Sequence, residues 1–189
     1  MTSKSQLYLH ITDLFRRGEF AAGQSELQSA ADSLSQAERL ECLGNFHFYR
    51  HEQQAAVDQF SAIFKQFPEH YSARYHYIVA TRLERSGEFA EAFDHYRTAI
   101  EVEPTFVDAY IELGALLYKQ SDLVGSARCF EHAVEFDPRD LRIYANLRII
   151  YRQLAEHDPA TYGQRRDQLE LDYPRLETEL PPIPEGHQW

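Results

Sequence analysis

A pattern of small, aromatic and helix-ending residues recurs about every 34 residues, and this period constrains the fold more than any single motif. In its clearest copy Gly87 opens a turn, Tyr96 lies among alanines, and Pro104 closes the unit. The matched positions of three copies are Gly87, Glu88, Phe89, Ala92, Tyr96, Ala99, Ile100 and Pro104; Ser121, Asp122, Leu123, Ser126, Phe130, Ala133, Val134 and Pro138; and His51, Glu52, Gln53, Ala56, Phe60, Ile63, Phe64 and Pro68. A repeat of this length is typical of stacked helical hairpins, because one hairpin cannot bury its apolar face alone. The pattern therefore predicts an all-α repeat fold.

The clearest unit predicts two helices joined by a short turn. Residues Ala73 to Arg85 carry an apolar stripe at helical spacing, and Phe89 to Val102 carry alanines that permit close helix packing. Gly87 supplies the backbone freedom that ends the first helix. The small–aromatic–small spacing resembles the tetratricopeptide repeat (TPR), a helix–turn–helix unit used mainly to hold peptides and proteins. The resemblance implies a right-handed superhelical solenoid of antiparallel helix pairs.

The copies predict one solenoid over residues 1–174, with about four to five repeats plus a C-terminal helix. Gly114 falls inside a predicted helix, where glycine costs about 1 kcal/mol relative to alanine, so we expect a close helix crossing there. The closing helix is predicted over Ala160 to Leu171, and residues 175–189, with three prolines, are predicted to be an extended tail. The hairpins are expected at about residues 4–36, 37–70, 73–105, 107–139 and 141–174, of which the first and last are degenerate.

Charge and composition argue against several classes of function. The formal net charge of −11 disfavours nucleic acid and anionic membrane surfaces as partners, because both require a basic face. No run approaches the roughly 18 apolar residues of a spanning helix, and the first residues do not resemble a signal peptide. Cys42 and Cys129 lie far apart without CxxC spacing, which favours free thiols in a reducing compartment. We therefore predict a cytoplasmic protein.

The sequence contains little that could support catalysis. His47 and His51 lie four residues apart, which is a metal-ligand spacing on a helix, but no nearby cysteine completes a set. We interpret both as structural histidines. No nucleophile elbow, glycine-rich phosphate loop or Ser–His–Asp arrangement can be placed. The prediction is a protein that is not an enzyme and uses no cofactor or metal.

The resemblance implies that the first helix of each hairpin lines a concave groove for an extended peptide or a partner protein. Aromatic and arginine side chains commonly anchor such interfaces, and asparagine can hold a peptide backbone through its donor and acceptor. Tyr8, Thr12, Phe15 and Glu41 are further positions expected to face this groove. The alternative is that several of the aromatics pack against a neighbouring helix instead. The candidate groove residues are Asn45, Phe48, Tyr49, Arg74, Tyr77, Arg85, Tyr118 and Asn146.

The partner is left open by these residues. One version of the TPR groove grips a terminal carboxylate with lysine and asparagine, but Tyr8, Thr12 and Cys42 stand in those positions and only Arg74 remains. The protein could be a chaperone similar to the TPR class of type III secretion chaperones, or an adaptor in a larger bacterial assembly. A different hypothesis is self-association into a homo-oligomer through the closing helix and tail. The tail, Leu180 to Trp189, could also occupy the groove.

Overall fold

The computed structural model describes residues 5–30, 32–67 and 72–181, and across these ranges it contains ten helices and no strand. The helices are α1 (Gln6–Arg16), α2 (Phe20–Ser29), α3 (Gln36–Tyr49), α4 (Gln53–Gln66), α5 (Ala73–Arg85), α6 (Phe89–Val102), α7 (Val107–Lys119), α8 (Leu123–Phe136), α9 (Leu141–His157) and α10 (Pro159–Glu179). The predicted all-α repeat fold is confirmed. The sequence spacing of the second and third repeats is two residues longer than that of the others, which predicts a longer loop around His70 and Tyr71, and this loop lies outside the described ranges.

The chain divides into two compact units, Met1–Glu88 and Phe89–Trp189. In the first unit α1 packs against α2 and α3, α3 against α4, and α4 against α5. In the second unit each helix packs against the next, from α6 to α10. The boundary falls in the turn of the hairpin predicted at 73–105, and the single solenoid over residues 1–174 stays a prediction.

Apolar side chains form the core of each unit at the positions that the repeat places on the inner helix faces. The first unit has two clusters, one centred on Ile11, Phe15 and Phe46 and one on Phe60 and Val79. The core of the second unit is built from Ile111, Phe130, Ile143, Leu147 and Ile150, among others. These residues are almost completely buried, so burial of apolar surface is the main stabilising contribution in both units.

Packed helices approach so closely at Gly114 and at Gly44 that a side chain there would meet a neighbouring ring. A Cβ atom on Gly114 would lie 2.8 Å from a ring carbon of Phe130 and 3.2 Å from Cβ of Cys129. A Cβ atom on Gly44 would lie only 2.3 Å from Cε1 of Phe60. The close crossing expected at Gly114 is therefore present, and Gly44 repeats it between α3 and α4.

The closing helix is longer than the sequence predicts. α10 includes Pro174 in its interior and continues to Glu179, so the prediction of an extended tail from residue 175 was wrong for its first five residues. Tyr173 and Leu176 hold this end against the rest of the unit, Tyr173 beneath the Arg148 guanidinium at 4.6 Å. The helix ends at Leu180, which is extended because it precedes Pro181. The rest of the predicted tail, residues 182–189, lies outside the described ranges.

One carboxylate joins the start of α1 to the start of α3. Oε1 of Glu38 accepts a hydrogen bond of 2.9 Å from the Ser5 amide, and Oε2 accepts bonds of 3.0 and 2.9 Å from the Ser35 amide and hydroxyl. The Ser35 hydroxyl in turn accepts from the Glu38 amide, which completes a capping box. Partial burial raises the pKa of Glu38, but the hydrogen bonds from Ser5 and Ser35 outweigh it and lower the pKa to about 2.

Replacing Glu38 with glutamine should lower the free energy of unfolding by about 1 kcal/mol near neutral pH, because the capping bonds to both helices weaken. The pKa of Glu38 in the folded protein lies below its usual value of 4.5, so the contribution is present above about pH 4.5 and is lost as the pH falls toward 2. Urea denaturation followed by circular dichroism between about pH 2 and pH 7 measures it. The exposed Glu156→Gln is the control, and an identical pH dependence in wild type and Glu38→Gln would contradict the assignment.

Candidate functional site

Arginine and aromatic side chains converge where α3 ends and α5 begins. Nη2 of Arg74 donates a hydrogen bond of 3.2 Å to the Tyr49 hydroxyl. The guanidinium carbon lies 5.2 Å from the Phe48 ring centroid and 5.7 Å from that of Tyr49, within the range of cation–π attraction. Three of the eight candidate residues are therefore in mutual contact, although they are up to 26 positions apart in sequence.

A pocket of about 140 Å³ opens beside this cluster, between α5 and the hairpin of α3 and α4. Phe48, Tyr77 and Arg85, three of the candidate groove residues, line it. Thr81 also lines it, on the α5 face that the sequence predicts to line the groove. Sequence reasoning missed the other walls, because it expected only the first helix of each hairpin to face a ligand and did not include every residue of that helix face. The missed lining residues are Gln53, Ala56, Val57, Ile78 and Arg82.

Asn45 belongs to a buried polar network rather than to the open surface. It is 3% exposed, and its Nδ2 donates to the Tyr75 hydroxyl at 3.5 Å. That hydroxyl also contacts the Tyr8 hydroxyl at 3.2 Å, which joins α1, α3 and α5. Burial, and secondarily the charge of Glu41, raises the pKa of Tyr75 far above its usual range, so the hydroxyl stays protonated and able to donate.

Three further positions expected at the groove are also inside the first unit. Tyr8, Phe15 and Glu41 are buried, because α1 and α3 pack directly against each other through the faces that carry these side chains. The helical periodicity predicts that these helix faces make contacts, but it is a neighbouring helix that covers them. The alternative reading, in which some candidate side chains pack within the protein, applies to them.

Tyr118 and Asn146 meet in a second pocket, of about 150 Å³, between α7 and α9. The Tyr118 hydroxyl accepts a hydrogen bond of 2.7 Å from Gln153, and Nδ2 of Asn146 donates to the Arg142 carbonyl at 2.8 Å. The pocket is mostly apolar and is completed by Ala115, Lys119, Ile149 and Ile150. Ile149 is 45% exposed, and its spacing of three residues from Asn146 could have identified it.

Three arginines of α9 form ion pairs within the second unit. Arg142 binds Asp140 at 2.5 Å and Asp108 at 3.4 Å, and hydrogen bonding to Asp140 is the main reason that the pKa of Arg142 is raised. Arg148 and Arg152 both contact Glu170, and the bond from Arg152 is the main reason that the pKa of Glu170 is lowered. These guanidinium groups therefore hold α9 to α7 or α10.

The two histidines with metal-ligand spacing, His47 and His51, lie in the last turn of α3 and in the turn that follows it. Nδ1 of His47 lies 2.6 Å from Oε2 of Glu52, and His51 occupies the left-handed turn position with φ of 61°. Within residues 5–30, 32–67 and 72–181, no three metal-ligating side chains come together. The same ranges contain no helix long and apolar enough to cross a membrane. Cys42 and Cys129 are free thiols, as expected, and burial raises the pKa of Cys129 to about 12.

Comparison with known proteins identifies the same kind of repeat as the sequence pattern does. A family model for the TPR repeat matches residues 85–121, which contain all of α6 and α7. The chain contains a TPR repeat. Its TPR fold is similar to that of MamA (residues 41 to the end) from Desulfovibrio magneticus RS-1, with a TM-score of 0.68 and 20% identity over 94% of this chain and 97% of that one. The structure of YrrB gives a TM-score of 0.70 at 15% identity, covering 92% of this chain and 86% of the other.

Other proteins match over shorter stretches of this chain. The first TPR of Spaghetti (RPAP3), bound to the HSP90 peptide SRMEEVD, gives a TM-score of 0.55 and 24% identity over 63% of this chain and 93% of that one. Human protein O-mannosyl-transferase TMTC3 is 33% identical over 98 residues, which is 51% of this chain and 11% of that protein. The probable biofilm formation methyltransferase WspC of Pseudomonas putida is 37% identical over 68 residues, which is 36% of this chain and 16% of that protein. The matched stretches of this chain therefore correspond to a small part of the length of those two proteins.

Proposed function

We propose that this TPR protein is a non-catalytic scaffold that binds another protein or an extended peptide, as an adaptor or a chaperone. The contact surfaces are the arginine–aromatic cluster with its pocket on α3 to α5, and the apolar pocket between α7 and α9. Asn45 is not included, because its amide lies inside the first unit. The proposal needs no metal or cofactor, and it places the protein in the cytoplasm.

The observation that carries this proposal is the state of Arg74, an exposed cation lying against the rings of Phe48 and Tyr49. Arginine and tyrosine dominate the energetic centres of protein interfaces, because they combine contact area with fixed hydrogen-bond donors. Two of the similar folds support a binding role. YrrB is a TPR protein with an unusual peptide-binding site, and the Spaghetti (RPAP3) repeat holds an HSP90 peptide.

The double substitution Arg74→Glu/Tyr77→Ala should reduce the amount of a specific wild-type partner by at least tenfold in a quantitative pull-down from native lysate. The reason is that it removes two aromatic or cationic contacts and introduces a repulsive charge at the centre of the first surface. Ile149→Glu tests the second pocket in the same way. Exposed Arg128, on α8 and outside both pockets, provides the control Arg128→Glu, and circular dichroism checks that every variant is folded.

If both groove variants retain all wild-type partners while folded, the proposed surfaces are not those that bind. Equal losses in the groove variants and in Arg128→Glu would show a general charge effect. A partner lost only with Arg74→Glu/Tyr77→Ala or Ile149→Glu identifies which of the two pockets it uses.

The alternative function is self-association through the C-terminal helix and tail. The observation in its favour is Leu171 on α10, which is 76% exposed. Because α10 continues to Glu179, truncation after Pro174 would cut a helix, so a point substitution at Leu171 is the cleaner probe. Light scattering separates the alternatives, since a monomeric wild-type protein removes the self-assembly hypothesis.

A further inference from the structure

Three arginines follow one another along α5, and each is satisfied by a neutral partner. Nε of Arg82 donates to Oε1 of Gln54 at 3.2 Å, and Nη1 of Arg85 donates to Oε1 of Gln53 at 3.1 Å. Arg74 donates to the Tyr49 hydroxyl. In the part of the chain that the structure describes, none of the three forms an ion pair, in contrast to the paired arginines of α9.

The carboxylates at the start and in the first turns of α4 contact residues other than the α5 arginines. Glu52 contacts Nδ1 of His47 at 2.6 Å and Nε of Arg50 at 3.0 Å. Asp58 accepts a hydrogen bond of 2.9 Å from Nε2 of Gln54. Among the described residues, no salt bridge therefore neutralises these three guanidinium groups, in a protein whose formal net charge is −11.

The pocket beside Arg82 and Arg85 has room for one apolar side chain. Its volume of about 140 Å³ is close to that of the roughly 150 Å³ cavities that accept a benzene molecule. Phe48, Val57 and Ile78 supply apolar wall, and the two arginines lie at its edge. An anchor such as leucine or phenylalanine would fill this volume.

Resting on the proposed function, we infer that the α3–α5 surface selects an acidic segment with one bulky apolar residue. The apolar side chain enters the pocket, and carboxylates on either side of it bind Arg82, Arg85 and Arg74. Residues 74 to 85 span about 16 Å at 1.5 Å per residue, so an extended segment of about five residues covers the three cations. The glutamine contacts are exchanged for charge-assisted bonds, which are stronger.

Fluorescence anisotropy with the full chain tests this inference directly. The probe is a labelled synthetic peptide in which one leucine is flanked on each side by glutamates. Two matched peptides replace the glutamates with glutamines or the leucine with serine. The glutamate–leucine peptide should bind at least tenfold more tightly than either, and its affinity should fall when sodium chloride is raised from about 50 to about 500 mM, because salt screens the charges.

The substitution pair Arg82→Gln/Arg85→Gln should weaken binding of the glutamate–leucine peptide by about tenfold or more. The matched control Arg128→Gln/Arg139→Gln removes the same charge from exposed positions on and after α8, and should change the affinity less than twofold. Equal weakening by the two pairs would overturn the inference, because the effect would then follow net charge.

Other outcomes separate this inference from the proposed function. Equal binding of the glutamate and glutamine peptides, with the leucine still required, would overturn the acidic preference and leave peptide binding intact. If none of the three peptides binds, the inference fails, while the pull-down with Arg74→Glu/Tyr77→Ala independently decides the proposed function.

Discussion

Replacing Phe60 with alanine should lower the local free energy of unfolding of α3 to α5 by about 3–5 kcal/mol, the largest effect expected of any single substitution here. The Phe60 ring is completely buried, and it stacks on Tyr75 with centroids 4.2 Å apart and planes 11° apart. Its other face lies against Gly44, which has no side chain to fill the space. The cavity left by the substitution therefore cannot close without moving two helices.

Hydrogen exchange followed by mass spectrometry measures the local free energy of unfolding of α3 to α5. A local measurement is needed because repeat arrays need not unfold in one step. Exchange of the most protected α3–α5 amides should accelerate by about two to four orders of magnitude. Phe89→Ala is the matched control, since Phe89 is 44% exposed and its loss should cost less than about 1 kcal/mol. Similar protection in Phe60→Ala and wild type would mean that this ring does not hold the first unit together.

The helices were predictable because their limits are encoded locally. The sequence predicts helices over Ala73 to Arg85 and Phe89 to Val102, and α5 and α6 have those bounds. Gly87 adopts φ of 82°, a left-handed conformation that ends a helix at little cost for glycine. The same conformation occurs at Ser121, with φ of 65°, so the repeat positions the turn even where the residue is less suited to it.

The site was less predictable because its decisive contacts are not local. Helical spacing places Asn45 and Arg74 on the helix faces that are expected to line the groove. It does not show whether a neighbouring helix or a ligand covers each face. Asn45 is covered by Tyr75, 30 residues away, and the Tyr8–Tyr75 contact spans 67 residues. The pairing of the α9 arginines with Glu170 likewise depends on where α10 lies.

A count of charged residues in the sequence therefore does not distinguish these arginines. They differ in the folded protein, because their hydrogen-bond and ion-pair partners differ. Arg142 is held by two aspartates, whereas Arg82 and Arg85 donate to glutamine and serine oxygens and form no ion pair with any residue that the structure describes. A paired guanidinium has little further electrostatic attraction for a ligand, since its field is largely cancelled nearby. The two units consequently offer different chemistry, a cationic and aromatic surface in the first and an apolar pocket in the second.

Gly44→Ala should destabilise the first unit by about 2 kcal/mol, even though alanine is the better helix former by about 1 kcal/mol. The added Cβ would lie 2.3, 2.7 and 2.8 Å from three ring carbons of Phe60. The ring cannot move away freely, because it is fully buried and its far face is stacked on Tyr75. Overpacking at this contact therefore outweighs the gain in helix propensity.

Gly163→Ala is the matched control with the opposite sign. Gly163 lies inside α10, and a Cβ there would meet no atom within 4 Å, so the substitution should stabilise the protein by about 0.5–1 kcal/mol. Hydrogen exchange of α3, α4 and α10 amides reports both changes. Phe60→Leu should relieve part of the cost of Gly44→Ala, because the two residues are in direct contact and their effects are not additive. If Gly44→Ala costs the same in the Phe60→Leu background as in wild type, the close crossing is not what excludes a side chain at this position.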